Sequence, residues 1–266
     1  MPLDNSVSRL RAQELAQSTR PFLARGSRMN RCNDCLLDQD WCCCNERPIP
    51  SGDIAICLIY FKGEVYKPSN TGRLVADVLA DNHAFLWSRT QPDAALIQLL
   101  KNENYAPVLI FPDSYVAEER RLSSGSRLSQ WQATINAEQK KPLLVVLDGT
   151  WREARKMVRA DWLQQIPVLG IDPENQKTSV PGLAEPGLAD NKPNSSGYDL
   201  REAFHQHQLG TAEVMVQVLE KLGDANSAEA LQHWFERFQA RYLDSKPFRK
   251  AGSTASPDQL SALSNS

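Results

Sequence analysis

Two groups of residues have the types and spacing to do chemistry, and the first is rich in thiols. Cys32 and Cys35 flank two residues, six more follow, and Cys42 and Cys44 flank one, giving C-x2-C-x6-C-x-C. A CxxC pair brings two thiolates to one ion, and a second close pair completes a tetrahedral four-cysteine set. Cys43 is the intervening residue and is left out of the set, its side chain expected to point away. Cys57 falls in an apolar run and reads as an inert core thiol. Zinc in a structural role is the favoured reading, because a closed four-ligand site leaves no open position for chemistry. A free-thiol or redox cluster and an iron–sulfur cluster are the alternatives, since four thiolates alone do not choose the metal.

The second group lies in Leu143 to Leu163, LLVVLDGTWREARKMVRADWL. Five apolar residues, Leu143 to Leu147, suit a strand buried on both faces of a sheet. Asp148 and Gly149 end it. Thr150 and Glu153 have the spacing of a capping box and predict a helix start. On that helix Trp151, Ala154, Val158 and Trp162 recur on one side, and Arg152, Arg155, Lys156 and Arg159 on another. Ligands of open α/β sheets sit beyond the carboxyl ends of the strands, which makes Asp148 a candidate functional carboxylate. The first-turn N–H groups would attract an anionic ligand group. The bland alternatives are a plain cap at Glu153, a solvated basic face, and helix-to-sheet packing for Trp151.

These residues need elements to hold them. Asp53 to Tyr60, His83 to Ser88, Pro107 to Phe111 and Ile166 to Ile171 read as further strands. Thr71 predicts a cap for a helix carrying Leu74, Val75, Val78 and Leu79. Pro92, at a first helical position, opens another with Leu96, Leu99 and Leu100. Strands alternating with helices imply βα units and a mostly parallel α/β sheet with flanking helices. A short amphipathic helix through Leu10, Leu15 and Phe22 is compatible with the amino terminus. Near the carboxyl end Thr211 predicts a helix with Met215, Val218, Leu219 and Leu222, stopped by Gly223. Asn226 and Glu229 form a second capping box, before Leu231, Trp234, Phe235 and Phe238. Residues 172–197, rich in Pro, Gly, Asn and Ser, are too long for an ordinary connection and read as a lid or a disordered insertion.

The 266 residues and a net charge of −2 suit one large domain with no global sign of nucleic-acid binding, so such a partner would need a local basic face. No apolar run approaches the roughly 18 residues of a membrane helix. The start, MPLDNSVSRLRAQELAQ, lacks the hydrophobic core of a signal peptide. A cytoplasmic protein is therefore expected, in which six cysteines serve metal or catalysis more readily than disulfides.

With these pieces in order, the chain resembles the DTW-domain family of tRNA-uridine aminocarboxypropyltransferases. The naming motif stands as Asp148-Gly149-Thr150-Trp151. Arg31-Cys32-x-x-Cys35 with Cys42 and Cys44 resembles the amino-terminal cysteine motif. Glu64-x-x-Lys67-Pro68-Ser69-Asn70-Thr71-Gly72-Arg73-Leu74 resembles the Asn-Thr-Gly segment, and Leu109-Ile110-Phe111-Pro112 the strand-plus-proline. Tyr198-x-Leu200-Arg201 and Leu209-Gly210-Thr211-Ala212-Glu213 resemble the last two motifs. Where many members read Ser-Thr-x-Glu-Ala, this chain has Gly210 and Val214 at the ends of the segment.

The resemblance implies transfer of the 3-amino-3-carboxypropyl group of S-adenosylmethionine to N3 of a tRNA uridine, with methylthioadenosine as by-product. It implies a SPOUT-like fold, whose knotted carboxyl-terminal half enters by analogy alone. It assigns catalytic roles to Asp148, Thr150 and Trp151. Contacts to S-adenosylmethionine fall on Pro112, Leu147, Gly149, Leu169, Arg201 and Thr211, and phosphate contacts on Arg152, Arg155, Lys156 and Arg159. The expected division is an extension over 1–28, the four-cysteine zinc segment over 29–50, the catalytic domain over 51–245 and a disordered tail over 246–266. A SPOUT-type RNA methyltransferase and a non-catalytic zinc-bearing RNA-binding module are the competing readings.

Overall fold

The computed structural model describes residues 5–18, 29–123, 125–171 and 210–245. The expectations placed on Phe22, on 172–197, on Tyr198, Leu200, Arg201 and Leu209, and on the tail from 246 lie outside these residues. Apolar runs form the strands, as their composition requires. Strand β1 is Ala55–Tyr60, β2 Asn82–Leu86, β3 Tyr105–Ile110, β4 Lys141–Asp148 and β5 Val168–Leu169. They make one five-stranded sheet in the order β2-β1-β4-β3-β5, and every pairing is parallel. This is the expected α/β sheet.

Helices cover both faces, which is why the central strands are apolar on both sides. Helix α1 is Ser6–Gln17, α2 Gly72–Val78, α3 Ala94–Leu100, α4 Arg127–Ala137, α5 Trp151–Met157, α6 Thr211–Leu222 and α7 Ala225–Asp244. Ile56, Leu58 and Tyr60 of β1 and Leu144 and Val146 of β4 pack with α2, α6 and α7. Ala55, Cys57 and Ile59, with Leu143, Val145 and Leu147, pack with α3 and α5. Strict alternation therefore turns Asp148, which follows Leu147, toward the α2–α6 side.

Asp77, at 1% exposure, ties four parts of the chain together on that side. It accepts from Asn5 Nδ2 at 2.7 Å and from Trp234 Nε1 at 3.0 Å, and Arg47 Nε stands 3.5 Å away. Asn5 also caps α1 by accepting from Ser8 N at 2.8 Å, so that helix is anchored by contacts no local pattern shows. Among the described residues, no helix is long and apolar enough to cross a membrane.

Several boundaries differ from the sequence expectation. Helix α5 stops at Met157, so Arg159 and Trp162 lie beyond it and the basic stripe is helical only through Lys156. Gly210, not Thr211, is the N-cap of α6. Asp224, accepting from Ser227 N at 3.1 Å, displaces the Asn226–Glu229 cap of α7. Asp93 caps α3, leaving Pro92 outside the helix. At α3 and α7 an aspartate takes the free N–H, Asp93 from Ala95 N at 2.8 Å and Asp224 from Ser227 N, while at α6 Glu213 reaches back to Gly210 N.

Candidate functional site

Strands β1 and β4 lie side by side, and their onward connections run in opposite directions. One leads outward to β2, the other past β3 to β5. Such a divergence opens a crevice at the carboxyl ends of the two strands. Tyr60 and Asp148 are register partners at that end. Asp148 is only 4% exposed. Its Oδ1 accepts from Asn70 Nδ2 at 2.6 Å, and its Oδ2 from Thr211 Oγ1 at 3.2 Å. Burial pushes its pKa up to about 7; Glu64 adds to the rise, while Asn70, Thr211 and Lys67 oppose it. A carboxylate poised there can hold or release a proton near neutral pH.

The loop before α2 and the start of α6 are shaped around this group. A Cβ on Gly72 would stand 2.2 Å from Asp148 Oδ2, so only glycine fits where α2 begins. Thr71 Oγ1 accepts from Ala212 N at 3.3 Å and docks the first turn of α6 onto the same loop. Glu213 Oε2 accepts from Gly210 N at 2.8 Å and closes that turn. Buried Glu64 pairs with Lys67 beside the loop. Tyr60, fully buried, has a hydroxyl without a partner among the described residues, and burial drives its pKa upward.

Beyond Asp148 and Thr211, the residues singled out from sequence occupy varied places. Thr150 Oγ1 donates to Glu153 Oε2 at 2.6 Å and is spent on the capping box. Trp151 stacks on Phe111 with centroids 5.5 Å apart and meets Tyr115 edge-on at 5.0 Å. Leu147 and Leu169 are buried on opposite faces of the sheet, so only their backbone can face a ligand. Gly149 is closely packed, and a Cβ there would lie 3.1 Å from Phe61 Cβ, which would have to give by a few tenths of an ångström. Pro112 lies two residues past the end of β3 and leads into the turn Asp113–Tyr115. Arg152, Arg155, Lys156 and Arg159 are all exposed. Arg155 lies over the ring of Tyr115, 5.3 Å from its centroid.

Four residues here carry no expected role from sequence. Asn70 and Gly72 enter only as part of the Asn-Thr-Gly segment. Asp113, between the ends of β3 and β5, packs so closely on Gly170 that a Cβ there would be 2.2 Å from Oδ1, and that oxygen has no hydrogen-bond partner among the described residues. Tyr115 is 46% exposed, an aromatic ring at the rim. The Asn-Thr-Gly segment was the available signal for the first two. Asp113 and Tyr115 carried none.

The thiols converge as their spacing requires. The Sγ atoms of Cys32, Cys35, Cys42 and Cys44 all lie within 4.8 Å of one another. Cys32 and Cys44 are 3.6 Å apart, and Cys35 and Cys42 3.8 Å. A tetrahedron with zinc–sulfur bonds of about 2.3 Å has edges of about 3.8 Å, so the donor set fits zinc. Cys43 is outside the set and buried, but its thiol does not point away as expected: it hydrogen-bonds with Cys35. Arg47 Nη2 donates to Cys44 Sγ at 3.4 Å, a cation beside sulfurs that carry negative charge when ligating.

A family model described as the DTW domain matches residues 29–243, a stretch that contains the thiol set, the loop at Asn70, Asp148 and Thr211. No solved structure matches the chain.

Proposed function

Because the chain belongs to the DTW-domain family, the family of tRNA-uridine aminocarboxypropyltransferases, we propose that it moves the 3-amino-3-carboxypropyl group of S-adenosylmethionine to N3 of a tRNA uridine. The observation that carries this is Asp148: a buried carboxylate at a switch point, with its pKa raised to about 7. Uridine N3 holds a proton at neutral pH and must lose it to attack carbon. S-adenosylmethionine, when bound, supplies a carbon activated by its sulfonium, and methylthioadenosine departs with the electron pair of the broken carbon–sulfur bond. Asp148 is the final acceptor of the N3 proton. An ordinary exposed aspartate, with a pKa near about 3.9, would be a far weaker base.

The rim supports the ligand side of the reading. Gly149 and Gly170 keep side chains out of the crowded ends of β4 and β5, where Asp113 Oδ1, buried against Gly170, has no hydrogen-bond partner among the described residues. Arg152, Arg155, Lys156 and Arg159 would hold phosphates, giving affinity without choice of sequence. The four cysteines would hold a structural zinc, a closed set that leaves no open position for chemistry.

Nucleoside mass spectrometry of tRNA incubated with the purified protein and S-adenosylmethionine tests the proposal. A uridine bearing the aminocarboxypropyl group is the expected product. A methylated uridine would make the chain a methyltransferase. No adduct and no binding of S-adenosylmethionine would leave an RNA-binding module.

A further inference from the structure

Asp148 is buried too deeply to meet a nucleobase. A general base must come within hydrogen-bond reach of the proton that it removes, yet this carboxylate is 4% exposed. Tyr60 lies beside it in register, and Gly72 closes over Oδ2 so tightly that a Cβ would stand 2.2 Å away. Among the described residues, two side chains hydrogen-bond its oxygens, Asn70 through Nδ2 at 2.6 Å and Thr211 through Oγ1 at 3.2 Å. An amide nitrogen cannot take up one proton while giving another. A hydroxyl can, having one O–H donor and lone pairs to accept. Thr211 is also half-buried where Asp148 is not reachable, and it is fixed in place by Thr71 accepting from Ala212 N at 3.3 Å.

We propose that Thr211 Oγ1 relays the proton between the substrate nitrogen and Asp148. The inference rests on the reading of Asp148 as the base. The N3–H bond breaks and its electron pair stays on nitrogen, ready to attack carbon. The proton joins Thr211 Oγ1, and the hydroxyl's own proton passes to Asp148 Oδ2. Threonine ends as it began, and the net change is one proton moved from N3 to the carboxylate. The reverse route returns that proton once product has left. Tyr60, whose hydroxyl is as enclosed as the carboxylate, cannot reach substrate, and the charged neighbours Glu64 and Lys67 pair with each other. Thr211 is thus a catalytic residue, not simply a border of the cofactor pocket.

The test compares full-length Thr211→Val, which keeps the shape and removes the hydroxyl, with Thr211→Ser, which restores it. In Thr211→Val, kcat should fall at least about a hundredfold, the lower range for lost general base catalysis. Dissociation constants for S-adenosylmethionine and tRNA should stay within about twofold, and Thr211→Ser should recover most of kcat. A hydroxyl that only holds α6 would instead show in binding and melting temperature. If Thr211→Val does not fold, Thr211→Ala makes the same comparison. Near-normal turnover without the hydroxyl, or a serine variant no better than valine, overturns the relay. Asp148→Asn, assayed in parallel, separates the two failures. An active Asp148→Asn removes the base itself, whereas an inactive one beside an active Thr211→Val removes only the relay.

Discussion

Asn70 and Asp148, 78 residues apart in the chain, meet in a buried hydrogen bond of 2.6 Å between Nδ2 and Oδ1. The bond favours the charged carboxylate, opposing the burial that raises its pKa to about 7. Asn70→Ala removes the donor and leaves the burial. Hydrogen bonds to charged groups are worth about 1.5–3 kcal/mol, so the pKa should rise further by about one to two units. The midpoint of kcat against pH should move upward by the same amount. A profile identical to that of the wild type would mean that Asn70 does not tune the carboxylate.

The same shift has a consequence for stability. Asp148 titrates near 3.8 when unfolded and is raised to about 7 when folded, so between those values the folded state binds the extra proton. Its contribution is complete below the unfolded value and is lost as pH rises through about 7. Asp148→Asn lacks this titration. Relative to that variant, the wild type should weaken by up to about 4 kcal/mol between acid and neutral pH, from roughly three pKa units at 1.36 kcal/mol each. Urea unfolding of both proteins at pH values on either side of the window measures it. Parallel curves for the two proteins would place the carboxylate in a far less buried setting.

The thiol set leads to a metal prediction. Purified protein should carry about one zinc per chain, as a closed four-thiolate site binds one ion. Cys35→Ser should lose it, because Cys35 belongs to the set of four. Cys43→Ser should keep it, because Cys43 packs in the core instead. Chelation should also lower the melting temperature, since metal binding to a folded site is folding free energy. Elemental analysis showing no metal, or equal loss from both variants, would sink the assignment.

The legible parts of the molecule were those written locally. Five consecutive apolar residues announced β4, and Thr150 with Glu153 announced the start of α5. The cysteine spacing gave the thiol set outright. Helix α4 escaped because its apolar residues, Leu128, Trp131 and Ile135, are sparse in a polar stretch. Strand β5 was read as six residues, but only Val168 and Leu169 pair, an extent decided by β3 and not by composition. The partners of Asp148 were hidden for a related reason. Asn70, Gly72 and Thr211 each have a sufficient local explanation as turn or cap residue; the parallel pairing of β1 with β4 brings the first two to Asp148, and the docking of α6 on Thr71 brings the third.

The exposed cations after β4 yield a prediction in which charge and ring can be told apart. Arg155 lies in α5 over the Tyr115 ring at 5.3 Å, and Arg159 follows the helix end. Both are exposed, so replacing them should leave the core intact. Arg155→Glu combined with Arg159→Glu should weaken tRNA binding and flatten its dependence on salt. Each lost phosphate contact removes a slope of about 0.7–0.9 in log K against log salt concentration. Tyr115→Ala should act differently. Its ring, 46% exposed, can stack on a base, and losing such a stack costs about 1–3 kcal/mol with little change in salt slope. Affinity for S-adenosylmethionine should barely change in either variant. Filter binding or fluorescence titration over a range of salt concentrations distinguishes the two. An unchanged slope in the double charge reversal would mean that this face does not meet the phosphates, and a Tyr115→Ala protein with full tRNA affinity would take the ring out of the interface.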